Sequence, residues 1–125
     1  MFELRYDLAK KIFNEAWEIE TAHFVTIEMS DAVDSDDGDF RHEVQSGFRS
    51  ACNAQIAKNR CQSESKLLLP TETHKAVKEM YSALYSVMWL AGAELPSKFY
   101  TLWDDYRERA KLVENLLRED LNLNK

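Results

Sequence analysis

The sequence predicts an all-α protein, an antiparallel up-down four-helix bundle that associates as a dimer. Three observations carry that expectation. Only three Gly and two Pro occur in 125 residues, and a chain so poor in breakers favours long helices over a turn-rich β fold. Apolar residues recur at spacings of three and four through each long segment, the period of a helix that buries one face. Finally, residues 83–93, ALYSVMWLAGA, hold no charge, and a helix that is apolar on all sides has to be covered on all sides. The first two observations give the bundle, and the third gives it a partner.

The first helix is expected over residues 2–28. Leu8, Ile12, Ala16, Ile19, His23 and Ile27 form one face, widened by Phe2, Tyr6, Ala9 and Phe13. The chain enters this helix without a clear N-cap, a start that suits a piece of a longer protein as well as a native beginning. Residues 30–39, SDAVDSDDGD, hold five Asp and a Gly. Asp and Gly favour turns through side-chain-to-backbone bonds and positive φ, so this stretch reads as a loop that ends in an Asp cap. A second helix follows over 40–62, where Phe40, Val44, Phe48, Cys52 and Ile56 step by four. Its small residues Gly47 and Ala51 would let another helix come close. Residues 63–69 read as a connection whose three leucines pack down onto the bundle.

Helices three and four are expected over 71–92 and 97–121. They open alike, Leu69-Pro70-Thr71 and Leu95-Pro96-Ser97, and proline suits a first helical turn because its missing N–H would be unpaired there. Gly92 is a suitable C-terminal stop. In helix four, Phe99, Trp103, Tyr106, Ala110, Val113 and Leu117 follow a 4-3-4-3-4 spacing, the seam of left-handed helix packing. Asp105–Arg109 and Glu114–Arg118 are i,i+4 pairs on its polar side.

Composition narrows the function classes. Apolar residues at 45% and charged residues at 30% describe a globular chain rather than a disordered one. A net charge of -6 repels phosphate backbones and anionic membrane, so neither nucleic acid nor a membrane is an expected partner. The N-terminus lacks the apolar core of a signal peptide, and the 83–93 run is well short of the roughly 20 residues that span a bilayer. Cys52 and Cys61 lie nine apart within the second expected helix, about 13 Å along its axis and beyond disulfide reach. Two reduced thiols suit a cytoplasmic protein.

Two patterns could hold a metal. An EF-hand register that places Gly38 at its sixth position puts Val33 and Val44 where ligands are required, so the acidic loop fails as a calcium site. Glu20 and His23 form a Glu-x-x-His on helix one, and Asp39 and His42 open helix two. In a hairpin these four would share one end, in the manner of carboxylate-histidine bundles, whereas His74 belongs at the opposite end. A dinuclear centre lacks its remaining carboxylates at that level, and no cofactor is expected. No GxSxG, phosphate loop, GxGxxG or HExxH occurs, so no catalytic residue is singled out.

The expected function is therefore that of a non-enzymatic, acidic, helical protein–protein interaction module. Self-association is expected through Tyr85, Met88, Trp89 and Leu90 on helix three, with helix one or four contributing. A metal-binding four-helix protein using Glu20, His23, Asp39 and His42 is the second reading. An accessory protein of a mobile element that binds a host protein is the third.

Overall fold

The computed structural model describes residues 2–122. The chain forms α1 (Phe2–His23), a π turn (Phe24–Glu28), a 3-10 turn (Ala32–Asp34), α2 (Gly38–Asn59), α3 (Cys61–Leu68), α4 (Thr71–Met88), a second 3-10 turn (Gly92–Glu94) and α5 (Leu95–Asp120). Among the described residues there are five α-helices rather than four, and no strand.

The loop ends in an Asp cap, but at Asp37 rather than at Asp39: the Asp37 carboxylate accepts from the N–H groups of Asp39 and Phe40 at 3.0 and 3.2 Å. It starts α2 at Gly38, two residues earlier than expected. The second expected helix does not run to residue 62. It breaks at Arg60, whose φ of 52° lies in the left-handed region. The Arg60 N–H closes α2 on the Ile56 carbonyl at 3.1 Å, and the chain turns at once into α3. Residues 63–69, expected as a connection, are therefore mostly helix. Their buried side is Cys61, Ser65 and Leu69, at spacings of four, while Leu67 points to solvent. Cys52 and Cys61 consequently sit on different helices, both buried and free, with their thiols pushed up to about 12 by burial.

The apolar run at 83–93 is also divided. α4 stops at Met88, four residues before Gly92. Gln45, wholly buried on α2, donates its Nε2 to the carbonyls of Val87 at 2.5 Å and Met88 at 3.1 Å. These are two of the carbonyls that a helix end leaves unpaired. Beyond this cap the chain extends, and Gly92 lies directly against the backbone of His42. A Cβ there would come within 2.8 Å of the His42 N and Cα, so only glycine permits that approach.

Arg5 Nε reaches the Leu68 carbonyl at 2.7 Å, and Thr73 Oγ1 reaches Asp120 at 2.7 Å. The start of α1, the α3–α4 joint and the end of α5 thus gather together. The Gly92 turn and the start of α2 meet elsewhere. α4 and α5 pack along their length, α1 packs on α2 and α3, and α1 meets α5 only sparsely. The expected seam of α5 lies inside: Phe99, Trp103, Tyr106, Val113 and Leu117 are buried, with Ala110 packed at the margin. On α1 the core face is Leu8, Ile12, Ile19 and His23, continued by Ile27 in the π turn.

Candidate interaction surface

α1 carries two apolar faces, and the core covers one. At about 100° per residue, Leu8, Ile12, Glu15 and Ile19 point inward, while Phe2, Tyr6, Phe13, Trp17 and Phe24 fall in a separate stripe about 60° wide. Phe2 and Tyr6 stack, with ring centroids 6.2 Å apart. Trp17 is 70% exposed, Phe2 60%, Phe24 53% and Tyr6 40%, while Phe13 is half-buried. The stripe borders an open groove of about 610 Å³ between α1 and α5. Ile12, Phe13, Ala16, Met80 and Ala110 supply its apolar lining, and Trp17 stands over it. The two helices meet closely where His23 stacks on Trp103, and along the groove they are bridged by long side chains. Arg107 pairs with Glu20 at 2.9 Å, and the Arg118 guanidinium lies 5.6 Å from the Phe13 ring centroid. Arg118 also bonds Glu114 at 3.1 Å. Lys111 completes the rim.

The expected contact residues on helix three divide between the inside and the outside of one chain. Met88 is wholly buried, and Leu90 is 5% exposed beyond the helix end. Neither needs a second chain to cover it, because α4 ends before Leu90 and the turn folds that side chain inward. Trp89 is 62% exposed and Tyr85 lies at the surface. The Arg49 guanidinium covers one Trp89 face, 4.5 Å from the ring centroid.

The four residues considered for a metal are likewise placed apart from one another's chemistry. His23 is buried in an aromatic stack, 4.1 Å from Trp103 and 5.4 Å from Phe99, with Phe48 edge-on at 6.4 Å. Its Nδ1 lies 3.7 Å from the Glu28 carboxylate. Burial holds its pKa below the usual 6.5, the Glu28 charge opposing and Arg107 adding to the shift. Glu20 faces Arg107 instead. Asp39 and His42 are exposed on the first turns of α2. Among the described residues no three His, Cys, Asp or Glu side chains gather where they could hold an ion.

A buried polar centre went unread in the sequence. Glu15 is 2% exposed. Its carboxylate accepts from the Tyr81 hydroxyl, from Asn59 Nδ2 at 2.9 Å and, weakly, from Cys61 Sγ at 3.9 Å. Burial raises its pKa above 4.5 against the three donors. The available signal was register: Glu15 follows Ile12 by three and precedes Ile19 by four, so it occupies a core position of α1. The centre ties α1 to α2, α3 and α4, and its burial makes it a structural clasp. No known protein family, curated protein or solved structure matches this chain.

Proposed function

We propose that this chain is a protein–protein interaction module that self-associates, with the α1 aromatic stripe and the α1–α5 groove as its contact face. The observation that carries the reading is the exposure of Phe2, Tyr6, Trp17 and Phe24 along one line beside an open apolar groove. Aromatic side chains of roughly 150–250 Å² each, exposed to that degree, offer on the order of 450 Å². That is about half of the ~800 Å² each partner contributes to a standard interface, before the flanking groove is counted. Trp and Tyr are also the side chains that most often anchor such contacts. A second copy is the occupant that suits a face bearing both a projecting aromatic ridge and an adjacent furrow, because a twofold axis sets ridge against furrow twice. The contact expected on α4 moves to α1, since Met88 and Leu90 are used internally.

The helix order and the contacts near Leu68 and Gly92 support an antiparallel up-down arrangement in which α2 and α3 together form the second member. Two buried reduced thiols suit a cytoplasmic setting. Sedimentation velocity over a concentration series tests the association. Wild type should sediment as a dimer and Trp17→Glu as a monomer with an unchanged melting temperature. Loss of a central anchor costs about 2 kcal/mol or more, roughly thirtyfold in affinity. A wild type that stays monomeric at high concentration, or a Trp17→Glu protein that still dimerises, would refute the proposal.

A further inference from the structure

On the side of the molecule where α3 meets α4, the chain departs from its acidic average. Aspartate and glutamate outnumber lysine and arginine by 22 to 16, yet no carboxylate lines the cleft between these helices. Gln62, Ser63, Lys66, His74 and Lys78 line a pocket of about 320 Å³. Gln62 and Lys78 also line an adjoining one of about 480 Å³, which continues along α4 past Ser82, Tyr85 and Ser86. The convergence follows from helical register. Gln62 and Lys66 are i,i+4 on α3, His74, Lys78 and Ser82 are successive i,i+4 positions on α4, and the tight turn at Pro70 sets the two faces together.

Lys11, Lys98, Arg107, Arg109 and Arg118 all hold carboxylates. Among the described residues Lys66 and Lys78, like Lys58 and Lys75, have no carboxylate within 4.0 Å; what sets the first two apart is that they share one cleft with His74. His74 is oriented from behind: its Nδ1 is 3.0 Å from the hydroxyl of Ser65, a side chain with no exposure. That bond occupies Nδ1 and leaves Nε2 for the cleft. With Ser65 as the donor, Nε2 carries the ring proton and can itself donate.

We propose that the α3–α4 cleft is a binding site for a small phosphomonoester that carries a ring. The phosphate sits among Lys66, Lys78, His74 and Ser63, and the uncharged part lies along Ser82 and Tyr85. Two ammonium groups, an imidazole N–H and a hydroxyl converge as donors bearing two positive charges, and a phosphate monoester meets them with three oxygens and up to two negative charges. The site is on a different face from the α1 stripe, so it stands whether or not the chain dimerises.

The test is a nuclear magnetic resonance titration of the full chain with two probes, adenosine monophosphate and inorganic phosphate, followed at the His74 ring and at the amides of residues 62–66 and 78–86. Both probes should shift these signals saturably, the nucleotide at lower concentration because it also fills the second pocket. A Lys66→Met/Lys78→Met protein should bind at least about tenfold more weakly, since each charge-assisted bond is worth about 1.5–3 kcal/mol. Lys58→Met, which alters an exposed lysine on α2, should bind as wild type does. No saturable shift with either probe would overturn the proposal. So would shifts that the double variant retains, equal weakening by Lys58→Met, or inorganic phosphate binding as tightly as the nucleotide.

Discussion

Removing the Tyr81 hydroxyl isolates what the buried clasp contributes. In Tyr81→Phe the ring stays in the core, but the Glu15 carboxylate loses one of its three donors and keeps Asn59 and the weak Cys61 contact. At 2% exposure Glu15 cannot recover that bond from water. A buried hydrogen bond of this kind is worth about 1–3 kcal/mol. For a chain of this size each kcal/mol moves the melting temperature by about 3–5 °C, so thermal denaturation followed by circular dichroism should show a fall of roughly 3–15 °C. Glu15→Gln completes a double-mutant cycle. Because the side chains touch, the two changes should couple by about 0.5 kcal/mol or more. The cycle also has a pH signature. Burial raises the Glu15 pKa above 4.5, so its contribution to stability is complete below about 4.5 and is lost as pH rises through the raised value. Glu15→Gln removes that loss and should therefore gain on wild type as pH increases. A Tyr81→Phe protein that melts within about 1 °C of wild type, additive effects, or a Gln variant that loses ground with rising pH would each refute the reasoning.

Three further outcomes are expected. Gly92→Ala should cost about 1–3 kcal/mol in urea denaturation, because the new methyl meets the His42 backbone, which cannot turn aside as a side chain can. His23 has its pKa lowered from 6.5 by burial, so its stabilising neutral form is fully favoured above about pH 6.5. Stability should decline as pH falls from there toward the lowered value, and His23→Phe, which suits the aromatic stack, should flatten that decline in urea midpoints. Leu90→Glu should unfold the monomer rather than merely weaken association. It places a carboxylate in the core at a site where truncation alone costs ~2–5 kcal/mol, out of a total of about 5–15.

How much of this was legible in the sequence depended on whether the cause was local. The α5 seam is legible because periodicity alone decides which side of an uninterrupted helix faces inward. The core face of α1 was read for the same reason. An Asp cap at the start of α2 is legible because its chemistry is local, but five Asp in ten residues leave open which one caps, and Asp37 does. The α2–α3 break gave no such notice, since Arg60 is neither Gly nor Asn and its left-handed φ comes from what α3 gains by packing. The end of α4 is set by Gln45, forty-two residues before Val87 in the chain, and no window around 83–93 contains that cap. A helix extended to Gly92 turns Leu90 outward and puts an interface on α4, whereas the Gln45 cap ends α4 before Leu90 and that side chain is buried. The aromatic stripe on α1 was written in the sequence, but Phe2, Tyr6 and Phe13 were merged with the core face because a single helix can present two apolar directions.

The break at Arg60 carries a consequence for how the chain reaches its folded state. A non-glycine residue in the left-handed region costs about 1–2 kcal/mol, and straightening it would join α2 and α3 into one uninterrupted rod. What holds the bend is the burial of Cys61, Ser65 and Leu69 on the far side of it. The bent and straight forms thus differ by a modest balance of strain against burial. In the straight form, Tyr81 on α4 would be drawn away from Glu15 on α1 and the buried clasp would open. The packing of Cys61, Ser65 and Leu69 against the core is therefore what keeps the bend, and with it the Glu15 clasp, closed.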